Sequence, residues 1–377
     1  MQNNFYKKSL ALHKKHGGKI ELKSKVGLKN KNDLSLAYTP GVAGVSLEVA
    51  KDKKNAHVYT LKKNTVAIVS DGSAVLGLGN LGAYGAIPVM EGKAAIFKTF
   101  GNLDAFPICL ETQDTEEIIK IVKKIAPVFG GINLEDISAP RCFEIEERLR
   151  AELDIPVMHD DQHGTATVVL AGLINALKLR KLKKEDAGVV INGAGSAGIA
   201  VANLLLAYGF KNIIVCDTKG AICKGREDLN NYKKVLAEKT NKENKKGELA
   251  EVLKGAHIFI GLSKANILSI EMIQSMAEKP IIFALANPVP EVLPDVAKKA
   301  GAFIIATGRS DFPNQLNNSL GFPGLFRGII DKKKQFNESV FIRAAEAIAK
   351  FVKKPTTEKI LPTMFDKGLA QAVAKSV

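Results

Sequence analysis

Four carboxylates stand in two adjacent pairs, Glu135-Asp136 and Asp160-Asp161, and each pair closes a short apolar run, Gly131-Ile-Asn-Leu and Ile155-Pro-Val-Met-His. Clustered carboxylate oxygens are hard ligands of the kind that Mg2+ and Mn2+ take. In open α/β sheets ligands collect beyond the carboxyl ends of strands, which is where both pairs fall if the runs are strands. The same acids could equally cap a helix starting near Thr165 and decorate a solvated turn. Spacing alone decides neither this nor which of the four would bind. Lys93 lies among apolar and small residues in Val89-Met-Glu-Gly-Lys-Ala-Ala-Ile-Phe. Desolvation there would lower its pKa and fit it to accept a proton, although an isolated lysine in a basic chain is ordinarily a surface residue. His159-Asp-Asp-Gln-His163 mimics a zinc-hydrolase pattern, which requires both histidines on one helical face. A strand-like run before it and Gly164 after it speak against a shared helix. Tyr38, before Thr39-Pro40, reads from its neighbours as a packing residue.

A second kind of chemistry is written in Gly193-Ala-Gly195-Ser196-Ala197-Gly198. This run follows the strand-like Ala187-Gly-Val-Val-Ile-Asn, opens the apolar helical stretch Ile199-Ala-Val-Ala-Asn-Leu-Leu-Leu, and precedes a strand that closes on Asp217. That context is the one a dinucleotide-binding loop needs. Glycines let backbone N–H groups approach a pyrophosphate, and the helix N-terminus favours its charge. Asp217 would accept hydrogen bonds from the adenine ribose and repel a 2′-phosphate, which favours NAD over NADP. Lys219, Lys224 and Arg226, just beyond, could receive such a phosphate. A second glycine run, Gly77-Leu-Gly79-Asn-Leu-Gly82, is followed by Ala-Tyr-Gly-Ala-Ile-Pro, which does not read as helix. No βαβ unit is expected around it, so it reads as a close-packing loop near the substrate.

The elements that must hold these residues alternate along the chain. Apolar, β-branched runs at Thr65-Val-Ala-Ile-Val-Ser, Ala105-Phe-Pro-Ile-Cys, Gly131-Ile-Asn-Leu and Ile155-Pro-Val-Met predict four buried strands. A helix between them begins at Thr115, with Asp114 as its cap. A second series, near residues 188–192, 212–217, 257–262, 280–286 and 302–307, alternates with helical segments and predicts a parallel sheet. The helical stretch from Thr165 to Leu182 links the two series, and the Ala- and Lys-rich tail from Glu338 reads as amphipathic helix. The fold class is therefore α/β, with a domain of residues 1–162 and a Rossmann-type doubly wound domain of residues 163–377 that carries C-terminal helices.

The 377 residues are 46% hydrophobic and 25% charged, a globular composition. The 54 Lys and Arg residues give a net charge of +15, but they are dispersed and no aromatic ladder accompanies them. Surface solvation is expected rather than nucleic-acid binding, and a positive field suits an anionic substrate. No apolar run approaches the length of a membrane span, and four cysteines without a C-x-x-C pair suit a reducing cytoplasm. No membrane partner is expected.

In order along residues 35–328, the motifs AYTPGVA, SDGSAVLGLGNLG, PVMEGKAAIFK, NLEDI, HDDQHGTA, NGAGSAG, ALANP and NNSLGFPGLFRG closely resemble the malic enzyme family in its short bacterial form. The resemblance implies an N-terminal malic domain joined to a Rossmann-type domain, NAD or NADP as cofactor, and Mg2+ or Mn2+. The reaction it implies is oxidative decarboxylation of malate to pyruvate and CO2. It makes Glu135, Asp136 and Asp161 the metal ligands, Lys93 the general base with Asp160 beside it, and Tyr38 the general acid that protonates C3. Asn287 and Asn318 match asparagines that contact substrate and the nicotinamide end of the cofactor. A homodimer is implied as well. The chain departs from longer relatives at Ala74, where many carry an arginine that clamps a carboxylate. No appended acyltransferase-like domain is expected after Val377. The alternatives are a malolactic reaction that releases lactate and retains NAD, a zinc hydrolase at His159 and His163, and a nucleotide-sensing module without turnover.

Overall fold

The structure is a computed structural model and describes residues 2–377. Two parallel sheets organise it. The first holds β1 (Thr65–Ser70), β2 (Asp104–Cys109), β3 (Gly131–Leu134) and β4 (Val157–His159) in the order β2-β1-β3-β4. All three pairings are parallel, and β1 and β3 are buried along their whole length, as expected of strands covered on both faces. The second sheet holds β5 (Gly188–Asn192), β6 (Asn212–Asp217), β7 (Gly220–Ala221), β8 (Ile258–Gly261), β9 (Ile281–Ala284) and β10 (Ile304–Thr307). Its order is β10-β9-β8-β5-β6-β7, parallel except for the short β7 hairpin. The chain order reverses on either side of β5, which creates the crevice where such sheets bind ligands.

The helix Asp160–Arg180 runs between the sheets and is apolar on nearly every side, as a helix buried on all faces must be. Midway along it the buried Asn175 side chain is satisfied by the carbonyls of Ala349 and Ile360. This helix begins five residues earlier than the sequence suggests. Gly164, taken as a stop, lies inside it because the Asp160 carboxylate folds over that position, and a Cβ at residue 164 would collide with Asp160 Oδ1. The helix Phe322–Lys332 also ties the halves together. Phe322 and Phe326 pack on Phe97, and the Arg327 guanidinium donates to Asn64 Oδ1 at 2.6 Å. The C-terminal tail forms helices Glu338–Phe351 and Leu369–Ser376. Among the described residues, no helix is long and apolar enough to cross a membrane.

The segment after the second glycine run corrects the sequence reading. Gly82–Gly101 is a 20-residue helix, and with β1 and β2 it forms a parallel βαβ unit. Gly82, Gly85 and Pro88 disguise it, because glycine and proline are poor helix formers whose cost is outweighed here by the buried face of Ala86, Met90, Ala94 and Phe97. The loop is still not a phosphate cradle. The amides of Leu81 and Gly82 already donate to the carbonyl of Gly72, and the amide of Val75 donates to Gly79.

Residues 5–61 contrast with all this, since none of them is buried. Their helices Lys31–Ala37 and Val42–Lys51 have no buried residue, and Phe5, Leu10, Leu22, Leu36 and Leu47 are each more than 60% exposed.

Candidate active site

The carboxyl ends of β3 and β4 and the middle of the helix Gly82–Gly101 meet at one point. Glu135 and Asp136 follow β3 directly, and Asp160 and Asp161 open the helix after β4. One carboxylate oxygen from each of Glu135, Asp136 and Asp161 can be chosen so that all lie within 4.8 Å of one another. Asp136 adopts a left-handed backbone (φ 52°), which aspartate tolerates better than most residues. Two hydrogen bonds fix it there: its N–H donates to Asp161 Oδ2 (2.9 Å), and its carbonyl accepts from Ala74 N–H (2.9 Å). Behind this loop Arg141 binds Asp71 (2.9 Å), Ser73 Oγ (3.1 Å) and Ser138 Oγ (3.2 Å), locking the loop after β1 to the loop after β3. Arg141 is thus committed inward and does not replace the arginine absent at Ala74.

Lys93 reaches the cluster from its helix. Its side chain is only 6% exposed; Nζ donates to Asp160 Oδ2 at 2.5 Å, forms an ion pair with Glu135, and stands 4.6 Å above the centre of the Phe322 ring. Burial alone pushes its pKa down, as the sequence suggests, but Asp160, Glu135 and Asp161 outweigh burial, and the net shift is upward. The expectation of a depressed lysine is therefore corrected: carboxylate charge beats desolvation here. The acids show the converse. Burial raises Glu135 and Asp161, and it pushes Asp160 up to about 6 despite the Lys93 ammonium.

Glu135, Asp136, Asp160 and Asp161 crowd their carboxylates around the buried Lys93 ammonium, and carboxylate charge is costly to bury. A hard divalent cation held by Glu135, Asp136 and Asp161 would offset that cost, and the all-oxygen donor set suits Mg2+ or Mn2+. The histidines are not in that group, although His159 Nε2 lies 3.8 Å from Asp161 Oδ2. His163 Nε2 bonds the buried Glu146 (2.9 Å) and its ring stacks on Phe341, while Glu146 also accepts from His159 N–H and from Gln162. Among the described residues the group able to hold a metal is the carboxylate trio.

At the crevice of the second sheet, Gly193 has a φ of 121°, and a Cβ there would press on Leu262 after β8. A Cβ at Gly198 would collide with the carbonyl of Gly193, so glycine is required for the helix to close on the loop. Gly195 faces open space, and no side chain caps the helix Ser196–Tyr208 that begins with Ser196 and Ala197. Its first N–H groups are available to an anion. Asp217 ends β6 beside this loop, with Gly193 N–H donating to the carbonyl of the preceding Cys216 (2.9 Å).

Asn287 and Asn318 lie on loops that bridge the two halves. A Cβ at Gly77 would strike the Asn287 carbonyl, and one at Gly164 would sit 3.1 Å from Asn318 Cβ, so the glycine-rich loop and the start of the Asp160 helix pack directly on them. Buried Glu291, which nothing in the sequence singles out, accepts from Ser263 N–H (3.1 Å) and Ala286 N–H (3.0 Å) and so pins the loop carrying Asn287. Only its place three residues after Pro288 hints at this. Tyr38 is not brought to the cluster: it caps the helix Lys31–Ala37 in the exposed N-terminal segment and is 66% exposed.

Comparison with known proteins agrees with this architecture. Residues 17–150 match the malic enzyme N-terminal domain model and residues 162–377 match the malic enzyme NAD binding domain model. The chain is 53% identical to a bifunctional malic/malolactic enzyme of Bacillus subtilis, over 98% of this chain and 91% of that one. It is 46% identical to an NADP-dependent malic enzyme of Rhizobium meliloti, over 96% of this chain and 50% of that longer protein. The crystal structure of the NAD-dependent malic enzyme of Thermotoga maritima superposes with a TM-score of 0.95 at 51% identity, covering 98% of both chains. With both domain models matched in order across the two sheets, the chain belongs to the malic enzyme family.

Proposed function

We propose that this chain carries out the oxidative decarboxylation of malate to pyruvate and CO2 with NAD or NADP at the meeting point of Lys93, Asp160 and the carboxylate trio. The observation that carries the reading is the Lys93 ammonium, buried between Asp160 and Glu135 beside three clustered carboxylates. Glu135, Asp136 and Asp161 would hold a Mg2+ or Mn2+ ion, which would supply Lewis acidity, and the Gly193–Gly198 loop would hold the dinucleotide, which would supply the hydride acceptor. Lys93 removes the proton from the C2 hydroxyl. Of the three carboxylates that now hold its proton, Glu135 and Asp161 are ones a bound cation would neutralise, which would shift Lys93 toward the base form, while Asp160 keeps its hydrogen bond to Nζ. Asp160 orients Nζ, Asn287 and Asn318 position substrate and nicotinamide, and Tyr38 protonates C3. Gly193, Gly195, Ser196, Ala197 and Gly198 cradle the pyrophosphate, and the ribose lies near Asp217, whose oxygens already accept from Lys219 N–H, Arg226 and Lys233. The reading divides the chain at residue 162 into a malic domain and an NAD(P)-binding domain; one sheet lies before that residue and the other after it. Four free cysteines suit a cytoplasmic location.

The test is product analysis with malate and Mn2+. Pyruvate appearing in step with reduced cofactor is expected. Lactate without net reduction would favour the malolactic reading, which gains weight from the name of the Bacillus subtilis relative. Cofactor binding with no turnover would sink both in favour of a sensing module.

The proposal includes a homodimer in which the N-terminal segment of one protomer delivers Tyr38 to the other. The many exposed apolar side chains of residues 5–61 and the exposed tyrosine support it, because a segment with so much apolar surface and no buried residue needs a partner to cover it. Mixing the Tyr38→Phe and Lys93→Ala variants tests it. A hybrid dimer has one site with both groups intact, so random exchange is expected to restore about a quarter of wild-type activity. Activity no greater than the sum of the two separate variants would place Tyr38 in its own protomer's site.

A further inference from the structure

One buried carboxylate near the active site belongs neither to the cluster at Lys93 nor to the dinucleotide loop. Glu146 is 5% exposed and lies on the helix Arg141–Glu152, between β3 and β4 in the chain. Its Oε1 accepts from His159 N–H (3.0 Å); its Oε2 accepts from Gln162 Nε2 (3.1 Å) and bonds His163 Nε2 (2.9 Å). All of these groups come from residues 159–163, the stretch that contains Asp160 and Asp161.

A leucine would fill this place without the cost of burying a charge, so packing does not account for an acid here. What the carboxylate adds is direction. His159 caps the helix Asp160–Arg180, but its side chain makes no capping hydrogen bond, and its Nε2, 3.8 Å from Asp161 Oδ2, is too far away to hold that acid. Glu146 does from a neighbouring helix what a cap does from within. It takes up the N–H before Asp160 and two side chains after Asp161, and it places negative charge at the helix N-terminus.

The same helix also holds the other acids. Its first residue, Arg141, locks the loop that carries Glu135 and Asp136, and Glu146 follows about one and a half turns later. One rigid element therefore sets the two carboxylate-bearing turns against each other, and Asp136 N–H joins them by donating to Asp161 Oδ2. On its other side the His163 ring stacks on Phe341 (4.6 Å between centres), and Arg150 donates to the carbonyl of Phe336, so the tether is also held from the C-terminal helices.

We propose that Glu146 is a positioning residue of the metal centre. By fixing the turn at residues 159–163 it sets how tightly the trio binds its cation and how Asp160 holds the Lys93 ammonium. The proposal rests on the reading of Glu135, Asp136 and Asp161 as ligands of Mg2+ or Mn2+. A small hard cation demands near-ideal placement of its oxygens, which makes its affinity sensitive to a loosened turn.

Mn2+ affinity of the full chain, measured by calorimetry without substrate, tests this, with NAD affinity as the control at the second sheet. Glu146→Gln keeps the shape of the side chain and an oxygen for His159 N–H, but sets a donor where Gln162 and His163 bond. It is expected to bind Mn2+ about tenfold more weakly and to hold NAD within about twofold, with kcat for malate about tenfold lower at saturating Mn2+. His163→Phe keeps a ring against Phe341 and removes its bond to Glu146; it carries the test if Glu146→Gln does not fold. Its Mn2+ affinity is expected to fall by about threefold, the loss of one hydrogen bond. Mn2+ affinity unchanged in both variants would overturn the proposal. An equal loss of Mn2+ and NAD affinity would overturn it too, leaving Glu146 a purely structural acid. Failure of the wild type to bind Mn2+ would overturn it together with the carboxylate trio. Mn2+ binding by a wild type that does not oxidise malate would sink the proposed reaction alone, and the Mn2+ affinities of the variants would still decide this one.

Discussion

Lys93→Ala is expected to lower kcat for malate oxidation by about two to four orders of magnitude, the range over which a positioned base contributes. The substitution also removes the buried ammonium that faces Glu135 and Asp160, and breaking a buried pair costs about 3–5 kcal/mol. Loss of activity could then come from unfolding. Lys93→Arg separates the two effects, because it keeps a positive charge against the carboxylates but cannot give up its proton near neutral pH. The arginine variant should retain more of the melting temperature than the alanine variant and still show the full loss of kcat. A folded Lys93→Arg protein turning over malate near the wild-type rate would remove Lys93 from the role of base. Asp160→Asn is expected to act through Lys93, lowering kcat more than it raises KM for malate, since it loosens Nζ without touching the carboxylate trio.

Removal of the divalent cation should have an effect of similar size. Chelation is expected to abolish malate-dependent reduction of the cofactor, and Mn2+ or Mg2+ should restore it. The cluster also predicts a readout that needs no substrate. Four acids crowded around one ammonium repel each other, so a cation that binds only the folded state stabilises it, by about 2.7 kcal/mol at a hundredfold excess over its dissociation constant. The melting temperature of the metal-free protein should therefore rise on addition of Mn2+. Asp161→Asn is the discriminating variant. An asparagine oxygen can still accept the 2.9 Å hydrogen bond from Asp136 N–H, so the loop is held while one ligand charge is lost. Its metal-free form should be as stable as the wild type or more so, its Mn2+ affinity much weaker, and its activity low. An undiminished Mn2+-dependent rise in melting temperature would place the cation elsewhere.

Strand positions were legible because buried parallel strands are continuous apolar runs, and β1, β3 and β5 fall where such runs occur. The dinucleotide loop was legible because each glycine answers a local steric demand, seen at Gly193 and Gly198. Helix boundaries were less so. The helix Gly82–Gly101 contains three glycines beyond its first residue and one proline, and only burial of its apolar face against the first sheet makes it a helix. In the same way Gly164 looks like a break until the Asp160 carboxylate is seen folded over it.

The amino-acid sequence by itself determined the α/β class, the two series of strands, the acids at strand ends, the glycine loop and, through its ordered motifs, the family. These are local or linear properties: period, composition and the demand for a residue without a side chain. Only the tertiary structure decided how charges meet. Whether Lys93 loses or keeps its proton depends on burial weighed against three carboxylates that arrive from β3 and from the helix after β4. Whether Asp217 is an open acceptor depends on a guanidinium nine residues on and an ammonium sixteen residues on, which fold back to fill it. The exposure of Tyr38 likewise follows from where its segment packs. Pair energies fall off over a few ångströms, and distances of that order between residues far apart in the chain are set by the fold rather than by spacing.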